Sequence, residues 1–154
     1  MTSLFIFRLD LRLKDNLGLI QCFKNSKKIY ITFIFDPKQI DESENKYFSH
    51  NCVQFMVESL KELYKKSDKK LIFLYGDTIS VLKDTINKLN IDNVYINKDY
   101  TPFSLERDDK IKKLCRTLNC EFYGFDDIIL NPIDAILKPN KEPYSTFTPY
   151  MTQA

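Results

Sequence analysis

Five short apolar runs, separated by segments of helical period, leave this chain few ways to fold. They are Leu4–Phe7, Lys28–Phe35, Leu71–Tyr75, Asn93–Asn97 and Cys120–Tyr123, all rich in β-branched and aromatic residues. Runs of that length without alternation read as strands buried on both faces. Between them apolar residues recur every three or four positions. Leu17, Leu19, Ile20 and Phe23 form one such stripe, and Val53, Met56, Val57, Leu60, Leu63 and Tyr64 a second. Ile79, Leu82, Ile86 and Leu89 make a third, and Ile111, Leu114, Cys115 and Leu118 a fourth, on a helix expected from about Phe103. Strands alternating with helices predict an α/β fold, a doubly wound five-stranded parallel sheet with right-handed crossovers.

The strand ends carry the chemistry. Asp10, Asp36, Asp77 and Asp99 each follow a predicted strand, and Arg8 closes the first. In an open parallel sheet, ligands sit outside the carboxyl ends of the strands, at the point where the strand order reverses. With the order 3-2-1-4-5 that point lies between the first and fourth strands. Arg8, Asp10, Asp99 and Tyr100 are then expected to converge on one crevice. Asp residues also cap helices after strands. Asp77 reads as such a cap, whereas for Asp10, Asp36 and Asp99 capping and ligand contact stand side by side. Asp15 and Asn16 supply the N-cap of the first helix. Arg107 and Asp108 form either a surface ion pair or a part of the same crevice. His50 reads as a helix-start residue without chemical consequence.

Several function classes are excluded by what the chain lacks. Three glycines, Gly18, Gly76 and Gly124, build neither a dinucleotide fingerprint nor a phosphate loop. One histidine leaves no second one for a histidine metal site or triad. A net charge of +2, from 23 basic and 21 acidic residues, is no footprint for nucleic acid or an anionic membrane. Cys22, Cys52, Cys115 and Cys120 form no CxxC pair and read as buried free thiols in a reducing compartment. No apolar run reaches the roughly 18 residues of a membrane span. A soluble, intracellular protein without membrane contact is the expectation.

At 154 residues the chain is expected to form one domain. The pattern decays from Leu130 onward. Pro132, Pro139 and Pro143 and the polar run Lys138–Glu142 read as a linker, followed by the aromatic cluster Tyr144, Phe147 and Tyr150.

Phe7-Arg8-Leu9-Asp10-Leu11-Arg12 with Asp15-Asn16 resembles the N-terminal FRxDLRxxDN motif of the DNA photolyase/cryptochrome family. The resemblance continues in order through Phe35-Asp36-Pro37, Val53-Gln54-Phe55-Met56, Gly76-Asp77, Asp99-Tyr100-Thr101-Pro102 with Arg107-Asp108, and Pro143-Tyr144 with Phe147-Thr148-Pro149-Tyr150. It departs from many members at Leu9 and Cys52, where they carry basic residues near the antenna pocket. The resemblance implies a Rossmann-like α/β domain over residues 1–131, followed by the start of an interdomain linker over 132–154. It implies an antenna pigment, a reduced folate or a deazaflavin, with Arg8, Asp10, Asp36, Asp99 and Phe103 as cofactor-binding candidates. In such proteins the flavin, the DNA groove and the repair of pyrimidine dimers belong to a helical FAD-binding half. No FAD is therefore expected on this chain, and damaged DNA only indirectly. Two alternatives stand beside this reading: a non-catalytic nucleotide-binding or protein-interaction module of the same fold, and a gene fragment without function.

Overall fold

The first strand sets the core. In the computed structural model, which describes residues 1–131 and 135–154, β1 (Thr2–Phe7) is central and buried on both faces. Leu4 and Ile6 point to one side and Phe5 and Phe7 to the other, and all four are buried. Enclosing each such side chain is worth about 1.5–3 kcal/mol. That gain on both faces explains why the strand reads as an unbroken apolar run.

The other strands are β2 (Lys28–Phe35), β3 (Leu71–Tyr75), β4 (Asn93–Asn97) and β5 (Glu121–Phe125). All pair in parallel, in the order β3-β2-β1-β4-β5. The predicted topology is the observed one. Of the helices, α1 (Leu17–Asn25) and α3 (His50–Lys66) cover the Phe5–Phe7 face, where Leu19, Cys22, Leu60 and Leu63 meet Phe33 and Tyr95. Helices α4 (Thr78–Leu89) and α5 (Pro102–Thr117) cover the opposite face, where Leu82, Ile86, Ile111 and Cys115 meet Ile34, Val94 and Ile96.

The elements differ from expectation in five places, the first being β1, which starts at Thr2 rather than Leu4. The fifth strand starts at Glu121 and runs on to Phe125, because Cys120 ends the turn that the left-handed Asn119 closes. Helix α5 starts one residue earlier, at Pro102, because Thr101 caps it and proline suits the first helical position. A four-residue helix, α2 (Pro37–Ile40), follows Asp36, and a single turn is too short to show a period. A seven-residue helix, α6 (Phe147–Gln153), lies within the expected linker. The boundary at 131/132 and the linker residues Pro132 to Asp134 fall outside the described residues.

Candidate functional site

The reversal of strand order lies between β1 and β4, and Asn97 at the end of β4 organises it. Its side-chain amide donates to Asp10 Oδ2 at 2.6 Å and to Asn16 Oδ1 at 2.8 Å, and its Oδ1 accepts from the Gly18 N–H at 2.9 Å. A Cβ on Gly18 would collide with Asn97 Oδ1, so glycine is required there. Asn16 caps α1 through the Leu19 N–H and donates to Asp10. Asp10, only 3% exposed, also accepts from the Arg8 N–H at 2.8 Å. Its carboxylate is consumed in holding the β1–α1 loop on the sheet. Of the two readings open for Asp10, the structural one accounts for every contact.

Asp36 is held likewise. One oxygen caps α2 through the Lys38 N–H at 3.0 Å, and the other accepts from the N–H and hydroxyl of Thr78 at 3.1 and 2.6 Å. It ties the end of β2 to the start of α4. Asp77 caps α4 through the Ser80 N–H, as its sequence position suggested.

A cavity of about 340 Å³ opens beside this knot, at the carboxyl ends of β1 and β2. Phe7, Leu11, Phe33, Ile34 and Ile111 form its apolar floor; Val53, Phe55, Met56 and Ser59 line it from α3, and Gln39 and Ile40 from α2. Arg8, Asp99 and Arg107 supply its charge. A volume near the lower end of the ligand-pocket range, apolar walls and a few charged groups are what small-molecule sites present.

The charged groups form one cluster. Arg8 makes a bidentate pair with Asp108, at 2.6 and 2.9 Å, with both side chains largely buried. Arg107 donates to Ser104 Oγ at 3.2 Å, and its guanidinium lies 5.6 Å from the centroid of the Phe103 ring. Burial first, then repulsion from Arg8, pull its pKa down to about 10, opposed by Asp108 and Asp99. It stays a cation at neutral pH. For Asp99, partial burial resists ionisation, but hydrogen bonds from Ser104, Thr101 and Tyr100 and the nearby Arg107 outweigh it, so its carboxyl lies below its ordinary value. The Ser104 hydroxyl donates to Asp99 at 2.6 Å.

Two of the five candidates, Arg8 and Asp99, thus line the cavity. Asp10 and Asp36 brace its edges without facing it as free groups, except that Asp10 borders a small crevice of about 10 Å³. Phe103 is half-exposed and reaches the site through Arg107. Tyr100 turns away, contrary to expectation: its hydroxyl donates to Asp126 at 2.6 Å, and burial with that carboxylate pushes its pKa up to about 12. Of the pair Arg107 and Asp108, Arg107 lines the cavity, and Asp108 reaches it only through its ion pair with Arg8. The sequence hides the α3 wall, because the core spacing of Val53 and Met56 reads as packing alone. Leu9 and Cys52, where the chain departs from the photolyase pattern, both line this cavity, and Cys52 is exposed at its mouth rather than buried like the other three cysteines.

A family model described as DNA photolyase matches residues 3–154. The chain belongs to the DNA photolyase family. It corresponds to the family's N-terminal α/β domain. It is 27% identical over 147 residues to a deoxyribodipyrimidine photo-lyase of Synechococcus, covering 96% of this chain and 30% of that protein. It is 29% identical to cryptochrome-1 of Anopheles gambiae, covering 94% and 28%. Among solved structures, the archaeal photolyase of Sulfolobus tokodaii is 40% identical, with a TM-score of 0.79 over 86% of this chain and 31% of that one. That structure is described as holding two FAD molecules, with the implication of a novel light-harvesting cofactor. A class III photolyase of Agrobacterium tumefaciens, 23% identical with a TM-score of 0.80 over 96% of this chain and 30% of that one, shares the fold. The chain therefore spans about 30% of the length of these relatives. Among the described residues no helix is long and apolar enough to cross a membrane.

Proposed function

We propose that this chain is the antenna domain of a photolyase, working in light-dependent repair of pyrimidine dimers together with a helical FAD-binding half. The reading divides the chain into an α/β domain over 1–131 and the start of an interdomain linker over 132–154. The observation that carries it is the 340 Å³ cavity at the carboxyl ends of β1 and β2, apolar in its walls and edged by Arg8, Asp99 and Arg107. A planar heteroaromatic pigment fits such a site: the floor takes its faces and the arginines take its carbonyl or anionic edge. The bound pigment supplies absorbance, which it passes on as excitation energy. The protein supplies position and a dry surrounding. Damaged DNA and the catalytic FAD are assigned to the helical half, since +2 is too little charge to grip a phosphate backbone.

The pigment class is a reduced folate or a deazaflavin. The two FAD molecules of the Sulfolobus relative make a flavin the third probe to test. The purified chain is titrated with each of the three while pigment fluorescence is followed. One of them should bind saturably, and Arg107→Ala and Asp99→Ala should weaken it about tenfold or more, the loss of one charge-assisted contact. Phe103→Ala should weaken it less. Saturable binding that neither cavity variant changes would sink the assignment of the cavity. Binding of none of the three would favour the interaction-module or gene-fragment reading.

A further inference from the structure

Strand β3 is an edge of the sheet, and its sequence carries none of the usual protections of an edge. Leu71-Ile72-Phe73-Leu74-Tyr75 contains no charge and no proline, whereas edges are ordinarily blunted by lysine, proline or a bulge. Its hydrogen-bonding sides can be assigned. The Gly76 N–H donates to Phe35 O, and Ile72 O accepts from the Thr32 hydroxyl, so Ile72, Leu74 and Gly76 face β2. By alternation the N–H and C=O groups of Leu71, Phe73 and Tyr75 point away from the sheet. Among the described residues β3 pairs only with β2. The same three residues carry the side chains of one face, on which Phe73 is 43% and Tyr75 69% exposed.

We propose that β3 pairs with β3 of a second copy of this chain, antiparallel about a two-fold axis at Phe73. The register is self-complementary. Phe73 faces Phe73, and Leu71 faces Tyr75 in both directions, so all three outward residues fall at hydrogen-bonded positions. Six main-chain hydrogen bonds form, and the two five-stranded sheets become one. Charge complements the pairing: Lys69 and Lys70 precede the strand, and the half-exposed Asp77 follows it. Antiparallel alignment brings the lysines of one copy to the aspartate of the other. The arrangement is isologous and closes on itself. Its small contact places it among weak associations.

The test is sedimentation velocity of the 154-residue chain over rising concentration, with amide hydrogen exchange on the same samples. A dimer should appear below about 1 mM, the weak limit of specific association. Exchange at Leu71, Phe73 and Tyr75 should slow in step with its population. Tyr75→Lys and Phe73→Thr should each raise the dissociation constant at least about tenfold. Phe23→Lys, on exposed α1 surface, should leave it unchanged. A monomer up to about 1 mM overturns the proposal, as does a dimer that both edge variants leave intact. Slow exchange of the three amides in a dilute monomer would assign the edge to another part of the same chain, and open-ended assembly would contradict a closed two-fold seam. Either result also overturns it.

Discussion

Asp99 shows how a residue in the cavity wall can be structural and functional at once. Its carboxylate is satisfied by the Ser104 hydroxyl and by backbone N–H groups at the start of α5, and it also stands beside Arg107. A carboxyl held below its ordinary value in the folded chain binds a proton more readily in the unfolded one. Its contribution to stability is therefore present above the usual carboxyl range near pH 4 and is lost as pH falls through the folded value. Asp99→Asn should lower stability at pH 7 but much less at pH 3, read as urea midpoints at the two values. An equal loss at both would mean that the amide fails for steric reasons and that ionisation plays no part. Ser104→Ala should reproduce part of the same pH dependence, because it removes the strongest single donor to that carboxylate.

At the scale of elements, the strand-end aspartates separate into different jobs that the sequence could not distinguish. Asp36 and Asp77 both follow strands and both cap helices. Asp77 also reaches the exposed Lys38, but only Asp36 makes its distant contact in a buried setting, satisfying both the hydroxyl and the N–H of Thr78. A sequence reports that Asp suits the position after a strand; it does not report which distant donor the fold delivers to it. Helix caps were legible because they are local, as at Asn16 and Asp77. The Asn97–Asp10–Asn16 knot was not, since it joins three segments and Asn97 looked like the polar end of a strand. Removing Asp36 leaves buried donors without partners, each costing about 1–3 kcal/mol. Losing an exposed cap costs about 1 kcal/mol. Asp36→Ala should thus destabilise by about 3 kcal/mol and Asp77→Ala by about 1 kcal/mol, measured by urea unfolding. Equal losses would show that the β2–α4 tie carries no special weight.

For the whole molecule, topology was readable because five apolar strands, the central three mostly buried, and four covering helices each declare themselves through local period. Crossover handedness then narrows the parallel orders open to such a chain. The tail was not readable in the same way. Phe147-Thr148-Pro149-Tyr150 lacks a helical stripe, yet residues 147–153 form a helix. That helix gains little from the body. Phe147 is 72% exposed, and among the described residues a long hydrogen bond of 3.5 Å, from Asn131 to the Tyr150 hydroxyl, ties α6 back. Met151, on the same helix, is exposed as well. An apolar segment left exposed in this way marks a docking surface or an aggregation liability. On the antenna reading it is where the helical half packs. Truncation after Asn131 should leave the urea midpoint nearly unchanged and unfolding cooperative, since both core clusters lie wholly before that point. The 154-residue chain, loaded with its pigment and mixed with the helical half, should raise dimer repair at the pigment's wavelengths, and the truncated chain should not. A drop in the midpoint on truncation would place the tail in this domain's own core. Equal repair with both chains would leave α6 without a role in docking and move the interface to another face of the sheet.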